Sequence, residues 1–167
     1  MTEVHEQHQA RGVRQASVAV ITASDSRTLE TDDSGKIIQT LVTEAGHQVV
    51  RYLIVKDELV SIRRAVKEAW EVADVVLLNG GTGVGPRDVS VEAVRPLLDK
   101  SLEGFGELFR AMSFQEIGSA AMMSRALAGV RGEKIVFVLP GSPAACSLAL
   151  TRLILPELGH LLAMVRP

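Results

Sequence analysis

Four of the six residues from Gly80 to Gly85 are glycine, and Thr82 is one of the other two. Glycine permits positive φ and lets backbone N–H groups approach a ligand, because no Cβ intervenes. Where such a run leads into a helix, its amides form a concave cradle for an anion. Two glycines would serve a bare strand-to-helix turn, whereas four with a threonine point to a phosphate nest. The run differs from two common nucleotide motifs. No Gly-Lys-Ser/Thr follows, and Pro86 stands where the third glycine of a dinucleotide fingerprint would be.

Acidic and capping residues cluster at similar places. Arg87 and Asp88 follow the glycines at once. Arg87 suits a phosphate partner or a solvated surface. Asp88 suits a helix cap, or a group that holds Mg²⁺ or orients a nucleophile. Asp57 has the same two readings, an N-cap ahead of Glu58 or a carboxylate facing a cleft. In Pro140-Gly141-Ser142-Pro143, Ser142 is placed to cap a helix whose first position is Pro143, with room for a phosphate at that terminus. Asp32, Asp33, Ser34 and Gly35 open another helix. Ser24, Asp25 and Ser26 suit either hydrogen bonds to a ring system or a tight turn. Among the rest, Cys146 reads as a buried thiol, Trp70 as partly buried core, Met122 and Met123 as core or subunit contact, and His47 as an exposed turn residue. His160 has no visible partner, and no serine–histidine–acid arrangement is present.

These residues need strands and helices to hold them. Short apolar runs at Ser17–Thr22 and Asp74–Asn79 suit strands covered on both faces. Gln48–Val55 is a β-branched strand. Helical spacing spans Ser34–Ala45, closed by Gly46, and Glu58–Val72 with Leu59, Ile62, Ala65, Val66 and Ala69 inward. A helix begins near Val89, another spans Gly104–Ser113, and a short one lies near Ile117–Met122. Arg125–Val130 and Lys134–Leu139 pair as a hairpin across Arg131 and Gly132. A long apolar helix closes the chain. The order predicts a three-layer α/β/α domain with a mostly parallel sheet and one antiparallel edge strand. The loops at 23–34, 56–57, 80–88 and 140–142 all follow strands, and the carboxyl ends of parallel strands form the ligand crevice of such sheets.

Composition bounds the function. With 167 residues the chain makes about one domain, residues 16–167, behind a polar arm at Met1–Gln15. A net charge of −2 disfavours a general nucleic-acid binder, because little cation excess is available to release counterions. One cysteine excludes an internal disulfide and any multi-cysteine metal site. No apolar run is seen to approach the ~20 residues that span a bilayer, and no signal core is present, so a cytoplasmic setting is expected.

Taken together, Ser24-Asp25-Ser26, Asp33-Ser34-Gly35, Gly80 to Gly83 with Pro86 to Ser90, Gly104 to Glu107, Leu127 to Gly129 and Pro140 to Ser142 resemble the molybdopterin-binding family. Its members include the bacterial MoaB and MogA proteins and the G domain of gephyrin. The resemblance covers about residue 15 to the C-terminus, and Phe105–Gly118 is most similar to the MoaB branch. It implies adenylylation of molybdopterin by Mg-ATP with release of pyrophosphate. The family's two important aspartates fall on Asp57 and Asp88. Asp57 would order Mg²⁺, while Ser24, Asp25, Ser34, Gly35, Gly80, Gly81, Thr82, Gly83, Pro140, Gly141 and Ser142 would line the nucleotide and pterin sites. Lys56 departs from the proline that often precedes the first aspartate. The resemblance also implies a homotrimer or a hexamer of two trimers, with Cys146–Val165 and Phe105–Met123 as candidate contacts and other cofactor-biosynthesis proteins as possible partners. A non-catalytic pterin carrier or an assembly protein is the alternative on the same fold.

Overall fold

The computed structural model describes residues 15–166. A six-stranded sheet has the order β2-β1-β3-β6-β5-β4, with β1 (Ser17–Ala23), β2 (Gln48–Val55), β3 (Val75–Asn79), β4 (Lys100–Ser101), β5 (Leu127–Arg131) and β6 (Lys134–Leu139). Strands β2, β1, β3 and β6 are parallel. β5 runs antiparallel to β6, and the two-residue β4 pairs antiparallel beyond it. The antiparallel strand expected at the edge is therefore β5, and the edge itself is a strand too short to carry an apolar pattern.

Alternation along the central strands builds two cores from one sheet. Val18 and Val20 of β1 and Val75 and Leu77 of β3 face α1 (Asp33–Glu44) and the C-terminal helices. Ala19, Ile21, Val76 and Leu78 face α2 (Leu59–Trp70) and α3 (Ser90–Val94). Trp70 lies in the second core at 6% exposure, as its spacing predicts. Register brings the strand ends level: Thr22 is opposite Asn79, Asn79 opposite Leu139, and Ala23 opposite Val55. The next residues, Ser24, Lys56, Gly80 and Pro140, all leave the sheet from one rim.

α4 (Glu103–Ile117) leads into a 3₁₀ turn at Gly118–Met123. The chain then ends in α5 (Pro143–Ala149), a π turn at Leu150–Ile154 and α6 (Leu155–Val165). These three wind as one helix over Pro143–Val165, which by length and apolar composition alone could cross a bilayer. That corrects the expectation that no segment is long enough. Arg152, Pro156 and Glu157 interrupt the run in the sequence, but not the helix. Its inner stripe of Cys146, Ala149, Leu150, Ile154, Leu158 and Leu162 belongs to the first core.

Other expectations change in detail. The hairpin turns at Gly132 and Glu133, since Arg131 still pairs with Lys134. Met122 and Met123 are 80% and 51% exposed, so within this chain they are not core. His47 is half-buried and accepts the Ala16 N–H at Nδ1. His160 Nδ1 lies 3.3 Å from Glu157 Oε2. Cys146 is fully buried, and its Sγ donates to the Pro140 carbonyl at 3.1 Å. Burial pushes that thiol up to about 12. The arm at Met1–Gln15 lies, apart from its last residue, outside the described residues.

Candidate functional site

The loops after β1, β2, β3 and β6 are tied together. Ser24 N–H donates to the Val55 carbonyl at 2.8 Å. Asp25 N–H donates to Asp57 Oδ2 and Asp57 N–H donates to Asp25 Oδ1, each at 3.2 Å. Gly80 N–H donates to Leu139 O at 3.0 Å. Ser34 Oγ donates to Gly141 O at 2.7 Å, joining the start of α1 to the loop after β6. Ser142 caps α5, its Oγ accepting the Ala145 N–H, with Pro143 at the first helical turn as expected.

Gly80 has φ +94°, and a Cβ there would stand 2.3 Å from the Ala23 carbonyl oxygen. Gly81 has φ +65°, and its Cβ would stand 2.5 Å from Ser90 Oγ and 3.4 Å from Asp57 Oδ1. Both therefore require glycine, and the second brings Asp57 up to the glycine loop. The carbonyls of Gly81, Thr82 and Gly83 are all engaged, by Ser90 N–H, Arg125 N–H and Arg125 Nε. In a trans peptide the next N–H points opposite to its carbonyl. The amides of Thr82, Gly83 and Val84 thus face away from these donors, and no described residue accepts from them or from Gly81. Four successive unpaired amides are what an anion nest requires.

The two aspartates do not cap helices. Glu58 stands at the N-cap of α2 and Val89 at that of α3, neither with a side-chain bond. Asp57 instead turns to the rim through Asp25, with Lys56 in place of proline. Its Oδ1 accepts no hydrogen bond from a described residue. Desolvation, then the nearby Asp25 charge, raises the Asp57 carboxyl above its ordinary range. Asp88 Oδ2 accepts the Gly85 N–H at 2.8 Å and braces the glycine loop. Arg87 pairs with Asp25 at 2.7 Å, so neither awaits a phosphate or ion alone. That guanidinium holds the Asp25 carboxyl below its usual range. Ser24 makes a tight turn, its Oγ accepting from Ser26 and Arg27 N–H. Among the described residues no group of three His, Cys, Asp or Glu can hold a metal. A lone carboxylate such as that of Asp57 fits Mg²⁺, a hard cation that keeps most of its waters and binds substrate phosphates.

Two features escape motif reading. Asp32 is 1% exposed and does more than cap α1. Its Oδ1 accepts the Gly35 N–H at 2.9 Å, and its Oδ2 accepts from Thr22 Oγ1 at 2.5 Å and Tyr52 OH at 2.7 Å. Asn79 Nδ2 continues the chain to Thr22 Oγ1 at 2.8 Å. The second feature is Arg125, which reaches the Gly83 carbonyl from 42 residues away. Tyr52 is the sole tyrosine, and desolvation with the Asp32 bond raises its phenol above 10.0. The folded state thus prefers the protonated phenol. That contribution is complete below pH 10 and disappears as pH climbs through the raised value. A spectrophotometric titration of phenolate should show no transition near pH 10 in folded protein, and stability should fall in strongly alkaline buffer.

Fold and site together define a three-layer α/β domain whose strand ends meet at a glycine-rich rim. The family model described as a probable molybdopterin binding domain matches residues 19–160. Molybdenum cofactor biosynthesis protein B of Bacillus cereus is 51% identical over 158 residues, 93% of this chain and 94% of its own length. A crystal structure of a molybdenum cofactor biosynthesis protein B superposes with TM-score 0.88 at 52% identity, covering 90% of this chain and 96% of that one. The tungsten cofactor synthesizing protein MoaB from Pyrococcus furiosus gives 0.83 at 39% identity, covering 93% and 99%. The chain belongs to the molybdopterin-binding domain family that includes MoaB and MogA proteins.

Proposed function

We propose that this chain serves molybdenum cofactor biosynthesis as an adenylyltransferase that acts on molybdopterin. A terminal phosphate oxygen of the pterin attacks the α-phosphorus of ATP. The bond to the bridging oxygen breaks, and pyrophosphate leaves with its electron pair. The nucleophile is already an anion, so no strong base is needed, in keeping with a rim without histidine. Catalysis rests on positioning and charge stabilisation. The four unpaired amides at Gly81–Val84 would cradle phosphate oxygens, and the loop of Pro140, Gly141 and Ser142 would bound the same cleft. Asp57 would hold Mg²⁺, which when bound neutralises charge on the leaving pyrophosphate. Asp88 steadies the loop through Gly85 and keeps its other oxygen for the ion or the incoming phosphate. Ser24, Asp25, Ser34 and Gly35 would shape the neighbouring wall.

The observation that carries this reading is the Asp57 carboxylate set against a glycine loop with free amides. The test mixes protein, molybdopterin and Mg-ATP and follows adenylated pterin and pyrophosphate by mass spectrometry. Pterin binding without either product would leave a carrier on the same fold.

Assembly follows the family expectation of a trimer or a hexamer. Phe114, Ile117, Met122 and Met123 expose 51–80% of their surfaces at the end of α4 and in the following turn, apolar surface that a second copy would cover. Ile117→Glu is expected to lower the mass seen by light scattering to that of a smaller species, without loss of helicity. An unchanged mass would move the contact elsewhere.

A further inference from the structure

Arg125 stands between the 3₁₀ turn and β5, 42 residues from the glycine loop it contacts. Its main-chain N–H donates to Thr82 O at 3.0 Å. Its side chain donates from Nε to Gly83 O at 2.7 Å and from Nη2 to Asp88 O at 2.7 Å. Glu92 of α3 receives both Nη groups and fixes the guanidinium plane. One residue thus holds carbonyls at both ends of the loop, 82–83 and 88. Only a planar fork of several donors can do this, which a lysine ammonium does not supply.

We infer that Arg125, held by Glu92, is a positioning residue that sets the loop carbonyls backward so that the Gly83 and Val84 amides face an anion. It touches no reacting atom. It acts by fixing peptide planes that glycine would otherwise leave free to rotate. A shallow cavity of about 270 Å³ is bounded by Val84, Gly85, Asp88, Glu92 and Arg125, so a small cation can reach the place of the guanidinium. The ligand side of this inference rests on the polyphosphate reading above, whereas the loop-ordering side does not.

Two readouts separate them, with inorganic pyrophosphate as the probe. In Arg125→Ala the amide resonances of Gly81–Val84 should lose their single ordered positions, and pyrophosphate affinity should fall about 10²-fold. Millimolar guanidinium should restore both, a recovery that mere loss of packing would not show. Arg125→Lys should keep the charge and still disorder the loop. Should Arg125→Ala fold poorly, Glu92→Gln releases the clamp with the arginine retained and should shift the same resonances. Unchanged loop resonances in folded Arg125→Ala, or no response to guanidinium, overturn the inference. If wild type fails to bind pyrophosphate while the loop still disorders in the variants, the clamp stands and the adenylyltransferase reading falls.

Discussion

Asp57→Asn is expected to slow adenylyl transfer by about 10²-fold or more while leaving thermal stability nearly unchanged. The two halves of this prediction have separate causes. Asp57 does not cap α2, so the helix loses nothing. An asparagine carbonyl oxygen can still accept the Asp25 N–H that now reaches Oδ2. Only the negative charge disappears, and with it the one oxygen that no described neighbour engages. A hard divalent cation at the rim would then have a neutral amide in place of a carboxylate. Product formation under single-turnover conditions, with melting temperature as the control, decides it. A variant with the wild-type rate would remove Asp57 from the chemistry.

Asp32→Ala should have the larger effect on the fold. It strips the buried partner from two hydroxyls, Thr22 and Tyr52, and from the Gly35 N–H at the start of α1. Buried donors left without acceptors cost about 1–3 kcal/mol each when none relaxes. Rotation of the hydroxyls recovers part of this, so a net loss of about 3 kcal/mol is expected, or roughly 10 °C in melting temperature for a domain of this size. The damage should also reach the rim, because Ser34 at the head of α1 holds the Gly141 carbonyl. Asp32→Asn, which keeps shape and one acceptor, should cost clearly less. Denaturation of the two variants side by side measures the difference, and equal stability of Asp32→Ala and wild type would refute the hub.

What the sequence discloses follows the range of the interactions. Of the parallel strands, β1, β3 and β6 are legible as doubly covered apolar runs and the edge strand β2 by its β-branched residues, and their level ends follow from the fold class. The loops after them are therefore legible as meeting at one rim, glycines included. Asp57 is harder. Asp57 suits a cap or a cleft in the sequence, and the choice is made by Asp25, 32 residues away. Asp32 reads as a local cap, while its bonds to Thr22 and Tyr52 cross two strands and leave no periodic trace. Arg125 is silent for the same reason, since an arginine between a turn and a strand resembles a surface charge until Gly83, Asp88 and Glu92 fold around it. Lys100 and Ser101 form a strand only because Val130 and Gly129 lie opposite.

The π turn at Leu150–Ile154 also bears on how the final helix keeps its phase. Its buried row, Cys146, Leu150, Ile154, Leu158 and Leu162, repeats every fourth residue, all at 1% exposure or less. In regular α winding each such step overshoots by about 40°, so four steps would swing the row some 160° off the sheet. The wider turn absorbs one surplus residue and returns the row to register. Length variation is thus tolerated at this point: without Thr151 the turn can close to ordinary winding with Leu158 and Leu162 still inward. Loss of a residue further along, such as Gly159, would instead rotate Leu162 by about 100° into solvent.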